Sequence, residues 1–131
     1  MNIARISKTS AANAILLLLG LVSLFNLLVM VGMIPYSIVW GGRLTDPSQM
    51  IVFEAVSIAV NLTVAFFVLL RVGYIKTSHV KMTQIAMWVI VGLYVLGTIG
   101  NLFSLSTLER MLFTPITLLL ALLTYRLVLK T

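Results

Sequence analysis

Glu54 is an acidic side chain set inside an otherwise apolar stretch, and it is the residue from which chemistry in this sequence has to start. A carboxylate at membrane depth is costly. It must face protein or water rather than lipid, and it marks a site for an ion, a proton or a polar ligand. Helical spacing gives it company: Glu54, Ser57, Asn61 and Ala65 fall at i, i+3, i+7 and i+11, on one face of a helix. Three other apolar stretches carry similar stripes: Gly20, Ser23 and Asn26; Gly97, Asn101 and Ser104; Thr114, Thr117, Ala121 and Thr124. Small residues let helices approach closely and polar ones bond across the contact, so such stripes predict the faces on which helices meet.

Two readings of these residues stand side by side. In the first, Glu54, Ser57, Asn61, Asn26, Asn101, Thr114 and Arg43 form an outward-facing polar pocket. That pocket binds or transports a small ligand, a small cation or a proton, with Glu54 as the charged centre. In the second, Glu54 bonds loop backbone or pairs with Arg43 or Arg110, which fixes the fold. The chain is then a structural or accessory subunit of a membrane complex, without catalysis of its own.

Other residues offer less. His79 has no cysteine, carboxylate or second histidine near it in the sequence to complete a metal set. Glu109 closes the pattern Ser106-Thr-Leu-Glu109, a capping box ahead of an apolar run, and its expected role is structural. The serines and threonines have no base to activate them, no phosphate-binding glycine loop is present, and no pair of carboxylates is expected within the apolar runs. The chain has no cysteine, which removes disulfides, thiol chemistry and Cys-ligated metals. The expectation is no metal and no cofactor; enzymatic activity stays open only as a third reading, a membrane-embedded enzyme acting on lipid, ranked behind the other two because no acid–base pair is visible.

The elements that must hold these residues are four apolar runs, at about 11–34, 50–70, 82–105 and 111–129. A helix of about 20 residues crosses ~30 Å of hydrocarbon. Apolar residues make up 61% of the 131, charged residues only 9%, and the mean hydropathy is +1.16. A soluble domain carries about 25% charged residues. The expected fold is therefore an all-α integral membrane protein, one membrane domain over residues 1–131, built as an antiparallel four-transmembrane-helix bundle. The four-span count resembles that of the small multidrug exporters. Their functional glutamate lies in the first helix, however, and here the first run has none, so no family follows.

The net charge of +6 is explained by topology. Arg5, Lys8, Arg71, Lys76, Lys81, Arg126 and Lys130 fall on the side of the N-terminus, the second loop and the C-terminus. Of the 9 basic residues, only Arg43 and Arg110 fall opposite. By the positive-inside rule both termini are expected in the cytoplasm of a multi-pass plasma-membrane protein, of the bacterial inner-membrane kind. A nucleic-acid partner is not expected. Arg5 and Lys8 imitate the start of a signal peptide, but the run behind them exceeds the usual ~7–15 residues and reads as a retained span.

Depth then sorts the polar residues. Asn26, Glu54, Ser57, Asn101, Thr114 and Thr117 map to the outer half, with Glu54 about 6–8 Å below the start of its run. The first outer loop, residues 35–46, carries Tyr36 and Trp40 as interfacial anchors and Gly41-Gly42 for a sharp turn. Asp46-Pro47-Ser48-Gln49 reads as a helix start. Pro115 is expected to kink a continuous fourth helix, the alternative being a second N-cap at Thr114. Four short helices seldom enclose a path alone. Besides the lipid bilayer, the expected partner is a second copy of the chain or another membrane protein.

Overall fold

The computed structural model of the chain describes residues 3–129; Lys130, counted above among the inner charges, lies outside them. The described residues are all-helical, with no strand. Helix α1 spans Lys8–Met30, α2 Pro47–Arg71, α3 Val80–Leu102 and α4 Thr114–Val128. A π-helical turn, Glu109–Phe113, runs directly into α4. Counting that turn with α4, the four helices hold 23, 25, 23 and 20 residues, each long and apolar enough to cross a membrane.

Local chemistry sets the boundaries. Ser7 caps α1, its hydroxyl accepting the Ser10 N–H at 3.0 Å, so the helix begins ahead of the apolar run. It ends at Met30, before the expected stop near Pro35, because Gly32 turns the chain at φ +88°. The Met33 N–H then reaches back to the Leu28 carbonyl at 2.9 Å, the closure of a Schellman-type cap. Asp46 caps α2 by accepting the Gln49 N–H at 2.7 Å, with Pro47 at the first helical position. Gln49 reaches back one residue further than a capping box would, to the N–H of Thr45 at 2.9 Å.

Pro115 does not break the fourth helix. Leu108, Phe113 and Thr114 all keep right-handed helical dihedrals, so Thr114 is not a second N-cap. The proline ring would crowd the carbonyl of Met111 in a regular helix, and the wide turn immediately before it makes the room.

Packing differs between the two ends. Ala11, Ala12, Ile15, Val68, Met87, Leu120 and Leu127, drawn from all four helices, form a dense apolar core toward the basic end. At the other end a smaller cluster joins Val29 of α1, Val39 and Leu44 of the first loop, and Met50 of α2. α4 packs along both α3 and α1, and α1 along α2, whereas the α2–α3 seam is the sparsest of these contacts. The polar stripes do meet. Asn61 Nδ2 donates to Ser23 Oγ at 3.2 Å between α2 and α1, and Thr117 Oγ1 accepts from Thr98 Oγ1 at 3.0 Å and Asn101 Nδ2 at 3.2 Å between α4 and α3. The glycines in those stripes are looser than expected. A Cβ on Gly20, or on Gly100 adjoining the third stripe, would meet nothing within 4 Å, and one on Gly97 only Thr117 Cγ2 at 3.9 Å.

Arg71 closes the basic end. The expectation for this residue is a side chain stretched toward lipid headgroups. Instead its Nε donates to the Leu127 carbonyl at 2.8 Å, Nη1 to Thr83 Oγ1 at 3.3 Å, and Nη2 to Gln84 Oε1 and to the Val128 carbonyl at 3.4 Å. Gln84 Nε2 adds a second donor to Val128, at 3.1 Å. The last carbonyls of α4 have no partners within their own helix, and a guanidinium is the side chain best able to satisfy several of them at once. Nearby, Arg126 Nε donates to the Ile6 carbonyl, which ties the end of α4 to the start of α1. Arg71→Ala is expected to lower stability by about 2–3 kcal/mol, because it strands these acceptors. Arg71→Lys, with a single point charge, recovers less than half of that loss; thermal unfolding in a mild detergent measures both.

Candidate functional site

Above the dense core, in the half of the bundle that holds Glu54, the helices leave a cavity of about 500 Å³. α2 supplies Glu54, Ser57 and Asn61. α1 contributes Asn26 and Phe25, and α3 contributes Tyr94, Gly97 and Asn101. Phe113 and Thr117 come from the fourth helix and Glu109 from its first turn, while Val39 and Trp40 of the first loop roof the space. Five of the seven residues expected to form the site therefore line one cavity: Glu54, Ser57, Asn61, Asn26 and Asn101. Thr114 and Arg43 do not. Thr114 is half-buried in the helix with its hydroxyl unpartnered, and Arg43 is exposed at the surface of the loop.

Glu54 is 1% exposed, and its partner is not an arginine. The indole Nε1 of Trp40 donates to Glu54 Oε1 at 3.1 Å, and Glu54 Oε2 has no hydrogen-bond partner. Trp40 reaches this position from a strained backbone, with φ +53°, a region rare for a bulky residue. Gly42 follows at φ +73°, where a Cβ would stand 3.4 Å from both Leu105 Cβ and the Ser37 carbonyl. That close approach seats the first loop against the loop between α3 and α4, and so holds the roof in place. Strain of this kind persists only where surrounding contacts enforce it. Here the enforced result is an indole donor aimed at a buried carboxylate, with the ring also packed 5.0 Å from Phe53.

Glu109 is the second carboxylate of the cavity, at 8% exposure. As a capping box requires, the Ser106 hydroxyl accepts the Glu109 N–H, at 3.3 Å. The reciprocal half is taken by another residue: the Ser106 N–H donates to Ser104 Oγ at 3.0 Å. The Glu109 side chain stands in the cavity wall, where its charge acts on Glu54. The expectation that no two carboxylates meet inside the bundle is corrected by this arrangement. The wide turn before Pro115 begins at Glu109, so the element that accommodates the proline also carries the acid.

Below the carboxylates sits Tyr94, 8% exposed, whose hydroxyl also lacks a hydrogen-bond partner. Glu54 Oε2 and Tyr94 Oη are thus two buried polar atoms with unused bonding capacity on the wall of one cavity. Such groups are uncommon and costly in folded proteins, which makes them pointers to a ligand. Thr117, Asn101 and Asn61 are already engaged in helix-to-helix bonds and contribute mainly to holding the walls. His79 is exposed in the second loop, and among the described residues no group of three or more His, Cys, Asp or Glu could hold a metal ion.

No protein-family model matches the chain, and no curated protein or solved structure matches it either.

Trp40, Glu109 and Tyr94 are the cavity residues that sequence reasoning passed over. The signal for Glu109 was present, as a carboxylate at the mouth of an apolar run, but its capping pattern gave a sufficient alternative. For Trp40 the adjacent glycines hinted at a turn without saying which way the ring would point. A double-mutant cycle between Trp40→Phe and Glu54→Met is expected to show a coupling of about 1 kcal/mol or more in thermal stability. A coupling near zero removes the indole–carboxylate bond from the account.

Proposed function

We propose that this chain is a multi-pass membrane protein whose cavity around Glu54 binds a proton or a small cationic ligand, as a step in transport or sensing. In this reading the four helices alternate in direction across a plasma membrane of the bacterial inner-membrane type. Both termini are cytoplasmic, and the cavity lies in the outer half. The orientation rests on the distribution of Lys and Arg, seven of nine on one side. The helices act as one membrane domain, and a second copy or another membrane protein completes any path that four helices are too few to enclose.

The observation that carries the reading is the buried, half-satisfied carboxylate of Glu54 in a shared cavity with Glu109. Two carboxylates facing one low-dielectric space repel unless a proton or a cation comes between them. A merely structural Glu54 is better served by a salt bridge, and Arg43, the residue placed to provide one, is exposed at the surface instead. The accessory-subunit reading draws on the same loop: Arg43 and the 42%-exposed Trp40 offer a charged and aromatic surface to a partner.

The purified protein in lipid nanodiscs is expected to show an infrared carboxyl C=O band that changes with pH or on adding a cation. Glu54→Gln should remove that band while circular dichroism and the melting temperature stay close to wild type. If folding and the band are lost together, Glu54 is structural, and a stoichiometric partner copurifying in mild detergent then favours the subunit.

A further inference from the structure

Four residues of the cavity wall are exposed on the outside of the bundle as well, and their position narrows the ligand. Val56 and Val60 of α2 and Leu93 and Leu96 of α3 line the cavity and are also exposed on the outside of the bundle, Leu96 to 70%. The two helices that carry them, α2 and α3, make the sparsest contact of the neighbouring helix pairs. The roof is formed by Val39, 6% exposed, and by Trp40, which is partly exposed but bonded to Glu54. Exposure of these residues on both the cavity wall and the outside of the bundle points to a cleft between two apolar helix faces.

The contents of the cavity agree with that route. A bare metal ion needs several oxygens converging within about 2.6 Å and occupies a small fraction of about 500 Å³. Such a volume, with mostly apolar and aromatic walls and a few fixed polar groups, is of the kind that takes an organic molecule. Beside the side chains of Asn26, Ser57, Asn61, Asn101 and Thr117, the polar lining includes two carboxylates and a tyrosine hydroxyl, and the rings of Phe25, Trp40, Tyr94 and Phe113 line the same cavity. Carboxylates with aromatic neighbours suit an organic ammonium group, which gains from the charge and from the ring faces. Apolar walls leading out to lipid suit a hydrocarbon chain attached to it.

We infer that the cavity takes an amphiphilic organic cation from the bilayer through the α2–α3 cleft, its ammonium head at Glu54 and Glu109 and its apolar body between Val60 and Leu96. This deepens the proposed function and rests on it, since the head needs a carboxylate available to a ligand. Glu54 and Glu109 hold the charge, Tyr94 and Trp40 position and enclose the head, and the valine and leucine faces admit the tail.

The test uses the full chain in nanodiscs of neutral lipid. In a Trp88→Phe background, Trp40 is the remaining tryptophan and reports on the site. Decyltrimethylammonium is the probe, with decanol and tetramethylammonium as its tail-only and head-only counterparts. The expected result is a saturable change in Trp40 fluorescence with decyltrimethylammonium, with affinity at least about tenfold weaker for each counterpart. Glu54→Gln with Glu109→Gln should weaken decyltrimethylammonium by a similar factor. Leu96→Trp would add a second reporter, so Leu96→Phe together with Val60→Phe is used to fill the cleft; it should slow or weaken the decyl probe and leave tetramethylammonium unchanged. Both positions are exposed, so these changes leave the core intact. Equal binding of tetramethylammonium and the decyl probe, unaffected by filling the cleft, overturns the lipid-side inference while the carboxylate site stands. If decanol binds as well as the cation, or if the double glutamine variant binds undiminished, the inference falls. The infrared band of Glu54 then decides separately whether the proposed function falls with it.

Discussion

The guanidinium of Arg71 bonds the carbonyls of Leu127 and Val128 and the side chains of Thr83 and Gln84, and so joins α2, α3 and α4 at one end of the bundle. Lipid supplies no hydrophobic drive between helices, so association rests on packing and on polar bonds of this kind. With that end tied and filled by small and branched apolar side chains, the opposite end is free to spread. The bonds between Asn61 and Ser23 and between Thr117 and Asn101 keep the helices paired as α1–α2 and α3–α4. No equivalent bond among the described residues spans α2 and α3 in the upper half, where the cavity lies.

That division of labour lets the protein keep carboxylates inside. A buried charge costs several kcal/mol even after relaxation, on the order of the net stability of a small domain. Glu54 offsets part of this through the Trp40 indole, and the backbone strain at Trp40 is a further cost carried by the fold. Neither cost serves packing, since an apolar residue at position 54 would fill the same place without them. A site that binds protons or cations does need them, because its affinity comes from the charge left incompletely satisfied.

Several features were legible from residue types and order. The four apolar spans, the cap at Asp46, the concentration of polar residues in one half of the bundle, and the meeting of the polar stripes all follow from local periodicity and depth. Five residues of the expected site share one cavity because they lie on helix faces whose direction is set by the 3.6-residue repeat. The expected roles failed where a side chain had two adequate partners. Arg71 could reach headgroups or the end of α4; Glu109 could cap its own helix or enter the cavity; Trp40 could lie in the interface or turn inward. Each choice depends on which neighbour another segment brings within 3–4 Å, and periodicity carries no such information.

The sequence by itself determined that this chain is helical, apolar enough to cross a membrane four times, and polar mainly in one half of its bundle. Those properties are sums over local terms: residue hydropathy, helical spacing and cap chemistry. Only the tertiary structure decided that Glu54 bonds to Trp40, that Glu109 lines the same cavity, and that α2 and α3 pack more sparsely than the other neighbouring helices. The physical reason is that hydrogen bonds and charge interactions are short-ranged and directional. They are assigned only once distant segments are side by side, and in a bundle with few polar groups each assignment redirects the next.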